Sequence, residues 1–232
     1  MYNQFSLTTI TKGLISKNLI VFLFLGITNI TAQSKTITLS KSFDKIIVSP
    51  HIEAVFVQGD TPSIQVESLT ITAEKFKYEI VNNILQVYLE GAKTVTENEK
   101  TYKNGRKFKK PIYKNTVAKV IITYFSIETF SVRGEEKITF QSPLDQDKCV
   151  LRIYGKSEVF IKDVKLNSLL VTIYGESHLA IEKGNIIKQK ITAYGESKVN
   201  TLAVANNETK IIAYGDGSFQ FNTFDRLKIT SY

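Results

Sequence analysis

The most regular feature of this chain is an alternation of apolar and polar residues that recurs at a constant interval. Tyr-Gly pairs mark the repeat at 154–155, 174–175, 194–195 and 214–215. On both sides of each pair, apolar residues occupy every second position, which is the period of a β-strand with one buried face. A fixed period with matching chemistry predicts a solenoid, in which each short repeat is one coil stacked on the last.

Within each repeat, the apolar residues of one parity are predicted to face the core. These inward residues are Leu151, Ile153, Val159, Ile161, Val171, Ile173, Leu179, Ile181, Ile191, Ala193, Val199, Thr201, Ile211, Ala213, Phe219 and Phe221. Gly155 and Ser157 share this parity but are very small, so we interpret them as a corner where the chain bends. The serine hydroxyl there can satisfy a backbone group that the bend leaves unpaired. Gly134 precedes Gly155 by nearly the same interval and marks an earlier, degenerate copy.

The other sides of the coils and the N-terminal half follow the strand pattern less regularly. Further inward residues are predicted at Val164, Leu166, Ile186, Ile187, Leu202 and Val204. N-terminal strands are predicted at 43–49, 51–60, 63–68, 77–91 and 118–125. Asn82-Asn83 predicts a two-residue hairpin. The chain is therefore predicted to be all-β, with further strands and a hairpin before a parallel β-solenoid of about 20 residues per coil in the C-terminal half.

Residues 1–32 have the organisation of a secretory signal. Lys12 and Lys17 supply a basic region, residues 19–27 are an apolar run, and a small residue precedes the expected cleavage point. A membrane-spanning helix needs about 20 apolar residues, so we expect no lasting membrane span. Residues 33–232 are then predicted to form a single domain.

One polar segment, residues 92–115, interrupts the strands. It contains eight basic and two acidic residues, a net charge of +6 in a chain whose total is +8. The first interpretation is a flexible, solvated loop insertion without a specific ligand. The alternative is a segment whose charge attracts acidic surface polysaccharide or lipid head groups. Its candidate binding residues are Arg106, Lys107, Lys109 and Lys110. Nucleic acid is not an expected partner, because the protein is predicted to leave the cytoplasm.

The tyrosines of the repeat are the second candidate binding feature. Tyr154, Tyr174, Tyr194 and Tyr214 have outward parity and are expected to align along the solenoid axis. One interpretation is a stacking ladder that stabilises neighbouring coils. The other is a contact strip whose flat rings suit a sugar chain or a partner protein. The sequence leaves both interpretations open.

Candidate catalytic or metal-binding side chains are few. His51 and His178 have no His, Cys or carboxylate partner at metal-ligand spacing, so neither a metal nor a cofactor is predicted. Cys149 lies among apolar residues and is interpreted as part of the core. Glu176 and Glu196 belong to a row of carboxylates on successive coils, which is more typical of a solvated edge than of a catalytic pair. We therefore predict no catalytic residues and no enzymatic activity.

The opening of the predicted domain resembles the head GIN domain family, a bacterial family of unassigned function that is named for autotransporter adhesins. The resemblance rests on residues 43–68, on the hairpin YEIVNNILQVYL, on the strand VIITYFSIETFSVRGEEKI and on the recurrent Gly-x-Ser corners. Its positions in the opening are Phe43, Ile46, Val48, Ile52, Val55, Val57, Gln58, Gly59 and Asp60. The family usually has Ser-Gly-x-Ser where this chain has Tyr-Gly-x-Ser. The resemblance implies export, a β-helix-like fold and an adhesive or surface role.

These observations together predict an exported binding or adhesion module of the cell envelope, located in the periplasm, on the outer surface or in the medium. The expected partners are an envelope glycan, another protein, or a second copy of the chain docking at an open end of the solenoid. The alternative is an enzyme that cleaves polysaccharides, because right-handed β-helices include lyases and hydrolases. That alternative rests on likeness of fold alone.

Export is open to a direct test. N-terminal sequencing of the mature protein is expected to begin at Gln33, because cleavage is predicted after Ala32. A mature protein that still carries residues before Lys17 would show that the segment is not a cleaved signal.

Overall fold

The structure, a computed structural model, describes residues 35–103 and 105–232. The predicted signal, residues 1–32, lies outside these residues. The regular secondary structure of the described chain is β-strand, apart from one 3₁₀ turn at Ala73–Lys75. Within these two ranges, no helix is long and apolar enough to cross a membrane.

In the N-terminal half, the described residues form nine strands. They are β1 (Lys35–Thr38), β2 (Lys45–Val48), β3 (Ile52–Gln58), β4 (Ser63–Leu69), β5 (Phe76–Val81), β6 (Ile84–Leu89), β7 (Asn98–Lys103), β8 (Arg106–Pro111) and β9 (Ala118–Tyr124). The strands expected from the sequence are confirmed. Asn82 and Asn83 adopt positive φ angles of 49° and 59° and join β5 to β6 in antiparallel register, which confirms the hairpin.

Nine further strands form the C-terminal half. They are β10 (Thr129–Gly134), β11 (Lys137–Phe140), β12 (Leu144–Gly155), β13 (Glu158–Ile161), β14 (Val164–Gly175), β15 (His178–Ile181), β16 (Gly184–Tyr194), β17 (Lys198–Tyr214) and β18 (Ser218–Ser231). Long strands pair in parallel from β10 through β12, β14, β16 and β17 to β18. Short strands pair in parallel from β11 through β13 and β15 to the start of β17. This is the predicted solenoid, with about five coils of about 20 residues in 129–231.

The N-terminal strands extend the same two rows. β2 pairs in parallel with β10, and β3 pairs in parallel with β11, so that β2 and β3 act as one more coil. β9 and β4 continue the row beyond β3, while β6 and β5 continue the row beyond β2. The predicted single domain thus shares one continuous sheet, apart from the two-stranded β7–β8 ribbon.

The core lies between the two rows and holds most of the predicted inward residues, while Phe219 and Phe221 in the last coil are half-buried. Phe56, Tyr124, Phe130 and Phe140 cluster at its N-terminal end with ring centroids 4.8–6.5 Å apart. Cys149 is buried, as expected, and burial raises the pKa of its thiol to about 12, so that it stays protonated near neutral pH.

Two of the predicted inward residues face solvent instead. Ile187 and Leu202 are 43% and 58% exposed, whereas Ile186 and Val204 are fully buried. Adjacent residues in a strand point to opposite faces, so Ile186 and Ile187 could not both be inward. The prediction for Ile187 and Leu202 was wrong because apolar character was given more weight than strand alternation.

The corners have the expected construction. Gly155, Gly175 and Gly195 adopt φ angles between 101° and 114°, which favour glycine. Two residues later, buried Ser157 and Ser177 each donate a hydroxyl hydrogen bond to the glycine carbonyl of the coil below, at 3.0 and 3.1 Å. Each of these carbonyls also accepts a backbone N–H, from Lys156 or Glu176, at 2.9 Å. The serine hydroxyl is therefore a second donor to the carbonyl at the corner rather than the partner of an unpaired group.

Replacing Gly175 with alanine tests how tightly the coils approach at these corners. An added Cβ would lie 2.3 Å from the Gly155 carbonyl oxygen, whereas at Gly215, with a similar φ, the nearest atom is 3.3 Å away. We expect Gly175→Ala to lower the free energy of unfolding by about 3 kcal/mol or more, and Gly215→Ala by about 1–2 kcal/mol. Urea denaturation measures both. Equal losses of unfolding free energy in the two variants would show that the positive φ alone, and not the close approach of neighbouring coils, requires glycine at position 175.

Candidate functional site

The long strands β12, β14, β16, β17 and β18 present their outward residues in columns, because their coils pair in register. Tyr154, Tyr174, Tyr194 and Tyr214 occupy one column, as predicted. Tyr232 extends the column to five rings. Its place in the column was not predicted, because Tyr232 follows Tyr214 by less than the repeat length. The matching pattern of ITSY and IIAYG was the available signal.

The tyrosine rings stack directly on one another. Successive centroids are 4.7–5.3 Å apart, and the ring planes differ by only 3–7°. The faces of the three middle rings, Tyr174, Tyr194 and Tyr214, are therefore covered, and their exposed fractions of 37–42% belong to ring edges and hydroxyls. The expectation of flat faces open to a ligand is wrong for these rings. The column instead presents a row of hydroxyl groups at a spacing of about 5 Å.

A cavity of about 760 Å³ lies at the N-terminal end of this column. Arg133 aligns with Tyr154 in the neighbouring strand, and its guanidinium lies 5.5 Å from the centroid of that ring. The cavity walls also include the start and end of the insertion. Among the lining residues are His51, Thr94, Val95, Thr96, Asn115, Glu135 and Glu136. The column therefore ends at a concave site that is lined by both charged and apolar groups. Such a mixed lining is common in ligand-binding sites.

His51 connects the solenoid to both ends of the insertion at this site. It occupies the corner between β2 and β3 with a φ of 70°. Its Nδ1 lies 2.8 Å from the carbonyl oxygen of Asn115 and must donate there, while Nε2 lies 2.7 Å from the hydroxyl of Thr96. His51 thus holds both ends of the insertion against the solenoid. Because both ring nitrogens have protein partners, His51 is not free to act as a base on a ligand.

Glu136 brings a buried carboxylate to the same cavity. Its Oε1 lies 3.8 Å from Nδ1 of His51, and its Oε2 accepts a hydrogen bond from the backbone N–H of Glu135. Its side chain is 5% exposed. The expectation that His51 has no carboxylate partner considered only neighbours in sequence, and the fold brings Glu136 to it. Arg133 and Glu136 were missed because only the topology of the first coils places them beside the insertion.

The basic insertion is more ordered than predicted. Residues 98–111, expected to be an irregular loop, contain the antiparallel pair β7–β8. The four candidate basic residues alternate along β8, so Arg106 and Lys110 lie on one face of the ribbon and Lys107 and Lys109 on the other. The ribbon therefore carries positive charge on both faces rather than one basic patch. Its base is tied down by buried Tyr113, whose hydroxyl donates to the carbonyl of Glu90.

The candidate carboxylates lie at the corners beyond the tyrosine column. Glu176 accepts a hydrogen bond from Lys156 at 2.8 Å, and this contact raises the pKa of the Lys156 ammonium. His178 lies in register with Glu158 and Lys198, as expected for a solvated row. Among residues 35–103 and 105–232, no group of three or more His, Cys, Asp or Glu side chains is placed to hold a metal ion.

Comparison with known proteins identifies the class. The family model described as "Putative auto-transporter adhesin, head GIN domain" matches residues 42–232. The chain belongs to this head GIN domain family, as the resemblance implied.

Solved structures show the same fold at low identity. One, from Parabacteroides distasonis and described as a "putative lipid binding protein", is 13% identical with a TM-score of 0.50, covering 86% of this chain and 96% of its own. Another, a "putative adhesin" from Parabacteroides merdae, is 14% identical with a TM-score of 0.50, covering 86% and 95%. No curated protein is similar enough to this chain to count as a relative.

The stacking geometry predicts a structural role for the middle tyrosines. Tyr194 stacks on two rings and Tyr232 on one. With about 1 kcal/mol per stacked pair, Tyr194→Ala is expected to lower the free energy of unfolding by about 2 kcal/mol, and Tyr232→Ala by about half as much. Chemical denaturation of the two variants checks this ratio. A negligible loss for Tyr194→Ala would mean that the ladder contributes nothing to stability.

Proposed function

We propose that this protein is an exported, non-catalytic binding module of the cell envelope, whose ligand is a glycan chain lying along the tyrosine column and entering the cavity at its head. The observation that carries this proposal is the 760 Å³ cavity, which opens where the column begins and where Arg133 and Tyr154 meet. Membership of a family named for adhesins supports a binding role.

The chemistry of the column suits sugar hydroxyls. Each tyrosine hydroxyl donates and accepts a hydrogen bond, as a sugar hydroxyl does. The row repeats at 4.7–5.3 Å, so a linear ligand along the solenoid axis would meet the same group at each step. In the cavity, Thr94, Glu135 and Arg133 add polar and charged partners. The glycan is thus held by edges and hydroxyls along the column and by a mixed polar site at its end.

The β7–β8 ribbon contributes electrostatic attraction for an anionic ligand and does not form part of the shape of the binding site. Arg106, Lys107, Lys109 and Lys110 are all exposed, and their distribution over both faces suits long-range attraction of an anionic partner. Such attraction weakens as salt rises, since the Debye length falls to about 8 Å at physiological ionic strength. The ribbon would bring the ligand to the column without specifying its structure.

The polysaccharide-cleaving alternative has less support. Glu176 is held by Lys156, and Glu196 belongs to the same exposed row at the corners rather than to the cavity. Inside the cavity, both ring nitrogens of His51 are engaged by Asn115 and Thr96, and Oε2 of buried Glu136 accepts a hydrogen bond from the backbone N–H of Glu135, so both side chains are committed to contacts within the protein. General acid–base cleavage needs two such groups across one bond. We therefore propose binding without turnover.

The test separates hydroxyl contacts from folding. A variant with phenylalanine in place of Tyr154, Tyr174, Tyr194 and Tyr214 keeps the stacking and removes four hydroxyls. On a glycan array, followed by titration of the strongest ligand, we expect binding to weaken by about tenfold or more with the melting temperature nearly unchanged. The matched control carries phenylalanine in place of Tyr78 and Tyr102. Both of these tyrosines are exposed and lie outside the column.

Three outcomes would contradict the proposal. They are unchanged glycan affinity in the four-fold variant, equal weakening in the control, and a wild-type protein that binds lipid vesicles but no glycan. Release of new reducing ends or unsaturated products from a bound polysaccharide would contradict the absence of turnover.

A further inference from the structure

A second column of outward side chains runs beside the tyrosines and consists of lysines. Lys190 on β16, Lys210 on β17 and Lys228 on β18 are direct register partners. Adjacent strands lie about 4.8 Å apart, so three ammonium-bearing side chains leave the backbone at that spacing. They line a groove of about 280 Å³ together with Lys188, Arg226 and other residues. Glu208 is the acidic residue among the groove-lining residues of the described chain.

Four lysines elsewhere on the solenoid are arranged differently. Each of the four forms an ion pair with a carboxylate in the adjoining coil, at 2.7–3.5 Å. These pairs are Lys148–Glu128, Lys156–Glu176, Lys165–Asp145 and Lys183–Asp163.

The lysine column has no such partners. Within the described ranges, no carboxylate lies within 4.0 Å of the ammonium groups of Lys190, Lys210 or Lys228, and Glu208 pairs with Arg226 instead. Like charges directly opposite one another on adjacent strands are unfavourable. An anion shared between neighbouring lysines would relieve that repulsion.

The lysine column lies on the same face as the tyrosine column. Each lysine precedes a column tyrosine by four positions: Lys190 precedes Tyr194, and Lys228 precedes Tyr232. This length of strand separates the two columns by about 13 Å, and residues of the same outward parity lie between them. A chain bound along the solenoid axis would therefore have hydroxyls on one side and cations on the other.

We infer that the ligand of this face is an acidic polysaccharide, whose carboxylate groups contact Lys190, Lys210 and Lys228 while its hydroxyls face the tyrosines. This inference rests on the proposed glycan-binding function and specifies its ligand class. A groove accommodates a single chain better than a planar membrane surface. The groove-lining residues of the described chain include no aromatic side chain on which nucleic-acid bases would stack.

The experiment compares two ligands and two charge-matched variants. The ligands are polygalacturonate and its fully methyl-esterified form, which shares the backbone but lacks the charge. One variant carries K190Q, K210Q and K228Q. The control carries K148Q, K165Q and K183Q, which removes the same charge from lysines that have acidic partners. Calorimetric titration is performed with the intact mature chain at low and at physiological salt.

We expect wild type to bind polygalacturonate at least about tenfold more tightly than the ester, with the difference decreasing as salt rises. The K190Q/K210Q/K228Q variant should lose about tenfold for polygalacturonate and show unchanged affinity for the ester. The control should lose less than about threefold. Melting temperatures serve as the folding check, and the single variant K210Q, at the centre of the column, replaces the triple variant if the latter does not fold.

Different failures are distinguishable. Equal binding of both polymers by wild type, lost in the tyrosine-to-phenylalanine variant, would overturn the acidic ligand and leave the glycan-binding function standing. Equal losses of polygalacturonate affinity in the two lysine variants would show that only the net charge of the protein matters. That result would overturn the lysine column as a binding site. Binding of neither polymer by wild type would overturn the acidic ligand and leave the glycan-binding function to the glycan array. Binding to anionic lipid vesicles, with no glycan bound on the array, would overturn both proposals.

Discussion

In-register parallel stacking of coils of nearly equal length is the constraint on which the rest of this structure depends. Since the long strands of successive coils pair in register, residues at the same place in neighbouring coils lie side by side on the surface. Tyrosines and lysines placed in this way form the two columns, and opposite charges in neighbouring coils form the ion pairs. The glycine corner makes the register possible, because a side chain at Gly175 would collide with the carbonyl of Gly155.

Stacking also limits what the tyrosine column can do. Rings separated by 4.7–5.3 Å with nearly parallel planes use their faces to hold neighbouring coils together, which leaves edges and hydroxyls for a partner. Structural and binding roles are therefore assigned to different parts of one side chain. The distinction explains why phenylalanine, rather than a small residue, is the informative replacement: it preserves the coil contacts and removes only the groups that face solvent.

Strand positions, corners and most inward residues could be predicted from the sequence, because they depend on local alternation and on a fixed repeat. The cavity could not, since His51, Arg133 and Glu136 meet only after β2 and β3 join the solenoid as a further coil. Tyr232 was missed for another reason. Register shifts between β17 and β18 shorten the last coil, so Tyr232 falls ahead of the position that a fixed period predicts.

The central claim is that a ligand chain lies along the solenoid axis between the tyrosine and lysine columns. A crystal structure of the mature protein with a polygalacturonate oligomer tests this most directly. The account predicts sugar density beside the hydroxyls of Tyr194 and Tyr214, with carboxylates near Lys190 and Lys210. Density confined to the β7–β8 ribbon or to another face, at ligand concentrations that saturate binding in solution, would contradict it.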